Sequence, residues 1–186
     1  SEVYRLVPRR ADGRWEGRIV VGHKKNGDPI FRHTYAKNQK ELMDRLHQNI
    51  ECYRDAELTE DSRMTLGEWL DRWIADYKES TLRPGTVRGY RSYIERYLKP
   101  QLGDKQVSLS TSQDIQRMDR RLKKDGRAVW HPEKGTQLAN ATIRSLHCML
   151  HEALQDAVQA HIIARNPTAD AAIPKLGGSV MRVLND

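Results

Sequence analysis

His147 and His151 stand four residues apart, the spacing at which one helix face offers two imidazoles to a metal ion. No third ligand lies near them in sequence, so neither a metal site nor any cofactor is assigned. Cys52 and Cys148 form no CxxC pair and have no His or Asp motif beside them. They read as free thiols that pack within helices, as expected in a reducing cytosol. Glu68 and the other carboxylates show no pairing suited to acid–base catalysis, and no glycine-rich phosphate loop is present. No catalytic residue is assigned. What remains is cationic chemistry: 32 Lys and Arg stand against 25 Asp and Glu, a formal net charge of +7. Such a surplus favours polyanions, because each neutralised phosphate releases condensed counterions.

The charge is sorted along the chain. Residues 1–40 carry ten Lys/Arg against four Asp/Glu, whereas 41–61 carry two against seven. Arg14, Arg18, Lys24, Lys25 and Arg32 are expected on an exposed sheet face, which fits a DNA major groove; the alternative is a solvated hairpin. Arg83, Arg88, Arg91, Arg96 and Lys99 face Glu95 alone. Arg117, Arg120, Arg121, Lys123, Lys124 and Arg127 face Asp119 and Asp125. Asn140, Thr142, Arg144 and His147 are polar residues off an apolar helical stripe, placed to approach phosphates near a helix start. Alternatively, Asn140 caps that helix and Arg144 is solvated.

Elements to carry these residues follow from periodicity. Val3 to Val7, Arg14 to Val21 and Ile30 to Tyr35 read as three antiparallel strands, the last two joined through Asn26-Gly27. Asn38 and Glu41 predict a capping box for a helix carrying Leu42, Leu46, Ile50 and Tyr53 on one side. Acidic residues Ala56 to Arg63 read as a linker. Thr65 and Glu68 predict a second box, followed by a stripe of Leu66, Trp69, Leu70, Trp73, Ile74 and Tyr77. A helix from Pro84 stops at Pro100 and Gly103, a third spans Ser112 to Lys124, and the fourth ends at Asn166-Pro167. Loop 125–137 contains Trp130, which packs locally or touches a partner. The expected fold is α+β: a three-stranded antiparallel sheet with one helix, then an all-α four-helix bundle. The domains are 1–57, a linker at 58–63, 64–167, and a tail at 168–186. No apolar run long enough to cross a bilayer is read, nor a signal peptide.

The stretch from Thr65 to Pro167 resembles the core-binding, SAM-like domain of tyrosine recombinases, the phage and conjugative-transposon integrases. The resemblance rests on Thr65-Leu66-Gly67-Glu68-Trp69-Leu70, Leu82-Arg83-Pro84-Gly85-Thr86-Val87-Arg88-Gly89-Tyr90, Tyr97-Leu98-Lys99-Pro100-Gln101-Leu102-Gly103-Asp104, Asp114-Ile115-Gln116, Ala141-Thr142-Ile143-Arg144 and Asn166-Pro167, in that order. The first sixty residues are similar to the family's arm-binding domain through Trp15-Glu16-Gly17-Arg18 and the hairpin that follows. Arg182-Val183-Leu184 resembles the segment before a catalytic domain. The resemblance therefore implies that the catalytic Arg, Lys, His-x-x-Arg and nucleophilic Tyr are absent here. It implies core-site DNA contacts by Thr86, Arg88, Arg91, Asn140, Thr142, Arg144 and His147, and separate arm sites for the sheet. Its further implications are double-stranded DNA as partner, tetramers on DNA, an excisionase partner, no membrane, and a place in the bacterial cytoplasm at the nucleoid. The rival readings are a complete small nucleic-acid-binding regulator, such as a recombination directionality factor or transcription regulator, and a protein-interaction module for acidic partners.

Overall fold

The computed structural model describes residues 4–7, 11–127 and 135–173. Expectations for Trp130, for the tail beyond Ile173 and for Arg182-Val183-Leu184 lie outside them. The architecture is α+β, and the chain divides into two compact units. One takes in the described residues up to Thr65 together with Gln106–Leu109 and Gln155–Asn166; the other takes in Leu66–Lys105, Ser110–Leu154 and the residues from Pro167.

In the first unit, β1 (Tyr4–Val7), β2 (Trp15–His23) and β3 (Pro29–Ala36) pair antiparallel in the order β1-β2-β3. The β2–β3 turn is closed by Lys24 N–H to Asp28 O at 2.8 Å, with Gly27 at φ 87°, a left-handed value that glycine adopts at little cost. Side chains alternate across the sheet, so Ile19, Val21, Ile30 and Ala36 meet Leu42 and Leu46 of α1 (Gln39–Cys52). Gly17 lies under the helix, where a Cβ would come within 2.7 Å of Leu46 Cδ1, so a bare backbone allows the close approach. Asn38 caps α1 through Glu41 N–H, but the Glu41 carboxylate reaches Lys37 N–H instead of Asn38.

Leu58 is no linker residue. It is 3% exposed, and its N–H donates to Val21 O beside a bulge between Val20 and Gly22. Burying an apolar side chain of this size contributes roughly 1.5–3 kcal/mol, which holds the strip against the sheet.

In the second unit, α2 (Leu66–Trp73) continues as a π-turn (Ile74–Lys78), and α3 (Pro84–Tyr93) continues through another (Ile94–Leu98) into α4 (Lys99–Leu102). α5 (Ser112–Asp125) and α6 (Asn140–Gln159), the latter as far as Leu154, complete it. The helical stretch after Thr65 thus holds five α-helical segments among the described residues, not four. Pro100 does not stop the helix. The wide turn before it lets Lys99 N–H reach Ile94 O, so the ladder is already re-registered where proline lacks a donor.

α6 ends at Gln159, ahead of Asn166-Pro167, because His161 takes a left-handed φ of 57°. Ile162 N–H then reaches Ala157 O at 3.0 Å and His161 N–H reaches Val158 O at 3.1 Å, a Schellman closure. Trp69, Leu70, Trp73, Ile74, Ile94, Leu98, Ile115, Leu146, Leu150 and Leu154 are at most 1% exposed and form the core. The Trp69 indole N–H is satisfied by Ala153 O at 2.9 Å. Tyr77, expected in the same stripe, is 37% exposed and meets Trp69 edge-on.

Candidate nucleic-acid interface

The sheet face opposite α1 holds three cross-strand pairs: Glu16 with Tyr35, Arg18 with His33, and Val20 with Phe31. Contacts on it run diagonally. The Arg18 guanidinium lies 4.5 Å from the Phe31 ring centroid, Arg14 lies 5.7 Å from that of Tyr35, and His33 Nδ1 meets Glu16 Oε1 at 2.8 Å. Val20, Phe31 and Tyr35 remain substantially exposed. A face that combines exposed rings with guanidinium groups laid over them can stack on flat ligands and donate to acceptors at once.

The five cations expected on this face are not equivalent. Arg14 is held by Asp12 through two side-chain hydrogen bonds of 2.9 and 3.1 Å. Lys24 pairs with Asp28 at 3.7 Å, while Lys25 is exposed and makes no ion pair among the described residues. Arg32 is a correction. On β3 it shares the parity of Ile30 and Thr34, so it projects to the side covered by α1, and its Nε is buried without a hydrogen-bond partner.

On the helical unit, α3 buries Val87 and leaves Thr86, Arg88 and Arg91 exposed. Arg91 is paired with Glu79, and Lys99 is shared between Asp71 and Glu95. Burial would lower the ammonium pKa of Lys99, but the hydrogen bonds it donates to these two carboxylates outweigh it and raise the pKa. Of the cations counted around α3, Arg83, Arg88 and Arg96 are left without ion pairs among the described residues.

α5 buries Ile115, Met118, Asp119 and Leu122 and turns Arg117, Arg120, Arg121, Lys123 and Lys124 outward. Of these, Arg120, Arg121, Lys123 and Lys124 make no ion pair among the described residues, and Arg121 donates to Gln101 Oε1 at 3.4 Å. The charge count marked this helix, yet no α5 residue was placed among the DNA contacts. Its start is fixed by a capping box that sequence reasoning missed: Asp114 N–H donates to Thr111 Oγ1 and Thr111 N–H to Asp114 Oδ2. Burial would raise the Asp114 pKa, but hydrogen bonds from Lys105 and Thr111 prevail and lower it.

At the start of α6, Arg144 is exposed, while Asn140 and Thr142 are half-buried. His147 is a second correction: it is 1% exposed, with Nδ1 3.2 Å from Asp119 Oδ2, and no duplex reaches it. It projects inward beside Leu146 and Leu150, three and four residues from other core positions. His151 instead turns its Nδ1 to Thr168 Oγ1 at 2.7 Å, so the two imidazoles serve different partners. Cys148, expected to pack, is exposed; Cys52 is half-buried, and both are free.

Compact helices around a tryptophan core display cations on α3, α5 and the start of α6. Residues 65–122 match the family described as phage integrase, N-terminal SAM-like domain. Over 176 residues the chain is 27% identical to a protein named integrase from Saccharopolyspora erythraea, covering 89% of this chain and 36% of that one. The chain thus spans about a third of the length of this curated relative. The fold is similar to the integrase-like domain from Bacillus cereus, at 21% identity and a TM-score of 0.52 over 67% of this chain and 96% of that one. It is also similar to a lambda integrase dimer bound to a COC' core site, at 18% identity and a TM-score of 0.52 over 93% of this chain and 47% of the other. Among the described residues, no helix is long and apolar enough to cross a membrane.

Proposed function

We propose that this chain is the DNA-binding portion of a site-specific tyrosine recombinase, an integrase serving a mobile element or prophage. The observation that carries the reading is the outward set of cations that make no ion pair among the described residues, including Arg18 and Lys25 on the sheet unit, and Arg88, Arg120, Lys123, Lys124 and Arg144 on the helical unit. Cations without carboxylate partners bind phosphates at the full counterion-release gain, whereas internally paired ones must first break a contact.

In this reading the open sheet face enters the major groove of arm-type sites, with Arg14, Arg18, Lys24 and Lys25 at the duplex. The helical unit grips core-type sites through Thr86, Arg88, Arg91, Asn140, Thr142 and Arg144, and α5 adds contacts to the phosphate backbone. Strand exchange belongs to catalytic residues outside these 186. Assembly into tetramers on DNA, an excisionase partner and a place at the bacterial nucleoid follow from the same reading.

The experiment is a footprint with the chain on candidate attachment-site DNA, at stated salt. Two separate protected regions are expected, one lost on Arg18→Glu and the other on Arg88→Glu with Arg144→Glu. A single region lost equally with all three variants refutes the division, and no protection refutes the reading.

A further inference from the structure

Arg32, displaced from the groove-facing surface, has a place of its own. Its Nε lies fully buried with no hydrogen-bond partner, and among the described residues the side chain makes no ion pair. It borders a cavity of about 350 Å³ along β3, whose lining includes Arg63, Tyr53, Ser62, Ser108 and Gln106 and contains no aspartate or glutamate. Arg32 as a whole is half-buried, but an Nε–H withdrawn from water needs an acceptor in place of its hydration, and nothing in the lining supplies a negative one.

The surrounding groups are donors. Arg63 is exposed and also makes no ion pair among the described residues. Gln106 Nε2 donates to Ser62 O and to Ser108 Oγ, which leaves the Ser108 hydroxyl hydrogen for another acceptor. Burial pushes the Tyr53 phenol above its ordinary pKa although the Arg32 charge pulls it down, so at neutral pH it keeps its proton. Two guanidinium groups and two hydroxyls outnumber the acceptors a carboxylate offers from its two oxygens; a phosphate offers more oxygens on one centre.

We infer that the cavity beside β3 is an oxyanion site in which Arg32 and Arg63 hold a phosphate group, either free phosphate or a phosphodiester of DNA. The phosphodiester source rests on the DNA-binding reading above, whereas the site itself does not. β3 is an edge strand of the sheet, and Phe31, His33 and Tyr35 from its open side also line the cavity. A duplex lying on that side passes its backbone along the cavity mouth. The two surfaces would then divide the work, the open face meeting bases and the cavity fixing one phosphate.

The test follows the ¹H–¹⁵N signal of Arg32 Nε–H in the intact chain, assigned by its loss in Arg32→Lys. Inorganic phosphate is titrated at constant ionic strength, with a short mixed-sequence DNA duplex in a parallel series. A saturable displacement of the signal is expected, and Arg63→Gln, which alters an exposed side chain, should weaken it about tenfold. Displacement by phosphate alone identifies a free-anion site, and displacement by duplex that phosphate competes away identifies a phosphodiester site. An Arg32 signal unmoved by both ligands overturns the inference, even if the duplex binds elsewhere. Saturation by phosphate without any duplex binding upholds the site and removes the DNA reading.

Discussion

The sheet unit and the helical unit carry their cations in different ways. On the sheet, Arg14 and Arg18 lie over aromatic rings, Arg14 and Lys24 answer to aspartates, and Arg32 is turned inward. On α5, four of five outward cations stand without ion pairs among the described residues, and none of them lies over an aromatic ring there. An oriented guanidinium suits selection, because its donors point in a fixed direction before the ligand arrives. A row of free cations suits grip, because it follows a phosphate backbone whatever the sequence. The comparison teaches that the number of basic residues in a segment and the charge available to a partner are separate quantities.

The comparison breaks first at α5. Reversing Arg120, Lys123 and Lys124 together to Glu should weaken DNA binding about a hundredfold and flatten the dependence of log K on log salt by about three units. Loss restricted to one sequence, measured by gel shift across salt concentrations, would deny the helix its backbone role.

Within the sheet, Arg18→Gln should cost about tenfold in affinity for one sequence over another, while Arg14→Gln, already neutralised by Asp12, costs under about threefold. Equal losses in competition binding would remove the distinction drawn from the rings. On α3, Arg88→Gln should cost about fivefold and Arg91→Gln less than about twofold, since Glu79 already holds Arg91. A larger loss for Arg91 would mean that the ion pair opens on DNA.

The smallest effect concerns stability. Asp114 has a lowered pKa in the folded chain, so its contribution is fully present above the unfolded value of about 4 and is lost as pH falls from there through the folded value. Thermal melts between neutral and acid pH should show this loss and show it reduced in Asp114→Asn. Asp114→Ala, which removes the carboxylate half of the capping box, should cost about 1 kcal/mol at neutral pH.

Much of this was legible in the sequence. The strand pair around Asn26-Gly27, the cap at Asn38 and the stripe from Leu66 to Ile74 stand where spacing put them, because local turn chemistry and helical period act within a few residues. Arg32 was misplaced because β3 has aromatic residues at one parity and Ile30, Thr34 and Ala36 at the other. The larger apolar set, Phe31 and Tyr35, faces outward. His147 was misplaced because a histidine beside an apolar stripe reads as polar surface, and the buried partner that satisfies it, Asp119, sits 28 residues away. Ion pairing was invisible for the same reason: Glu79 meets Arg91 and Asp71 meets Lys99 only once the helices are packed. The end of α6 was missed because a histidine occupies the left-handed position that sequence reading reserves for glycine or asparagine.

The two widened turns in the helical unit also bear on changes of chain length. Each stores one residue more than an α-helical turn would need, so deleting a single residue within 74–78 or 94–98 would let ordinary α-geometry close over the gap. The residues on the far side would then keep their faces, because the residue removed is the one the wide turn had absorbed. At the second site Leu98 and Leu102 would then stand three and seven residues after Ile94, still on its buried face. One-residue deletions here should therefore be better tolerated than deletions in the regular α-helical turns on either side, where no spare residue absorbs the loss.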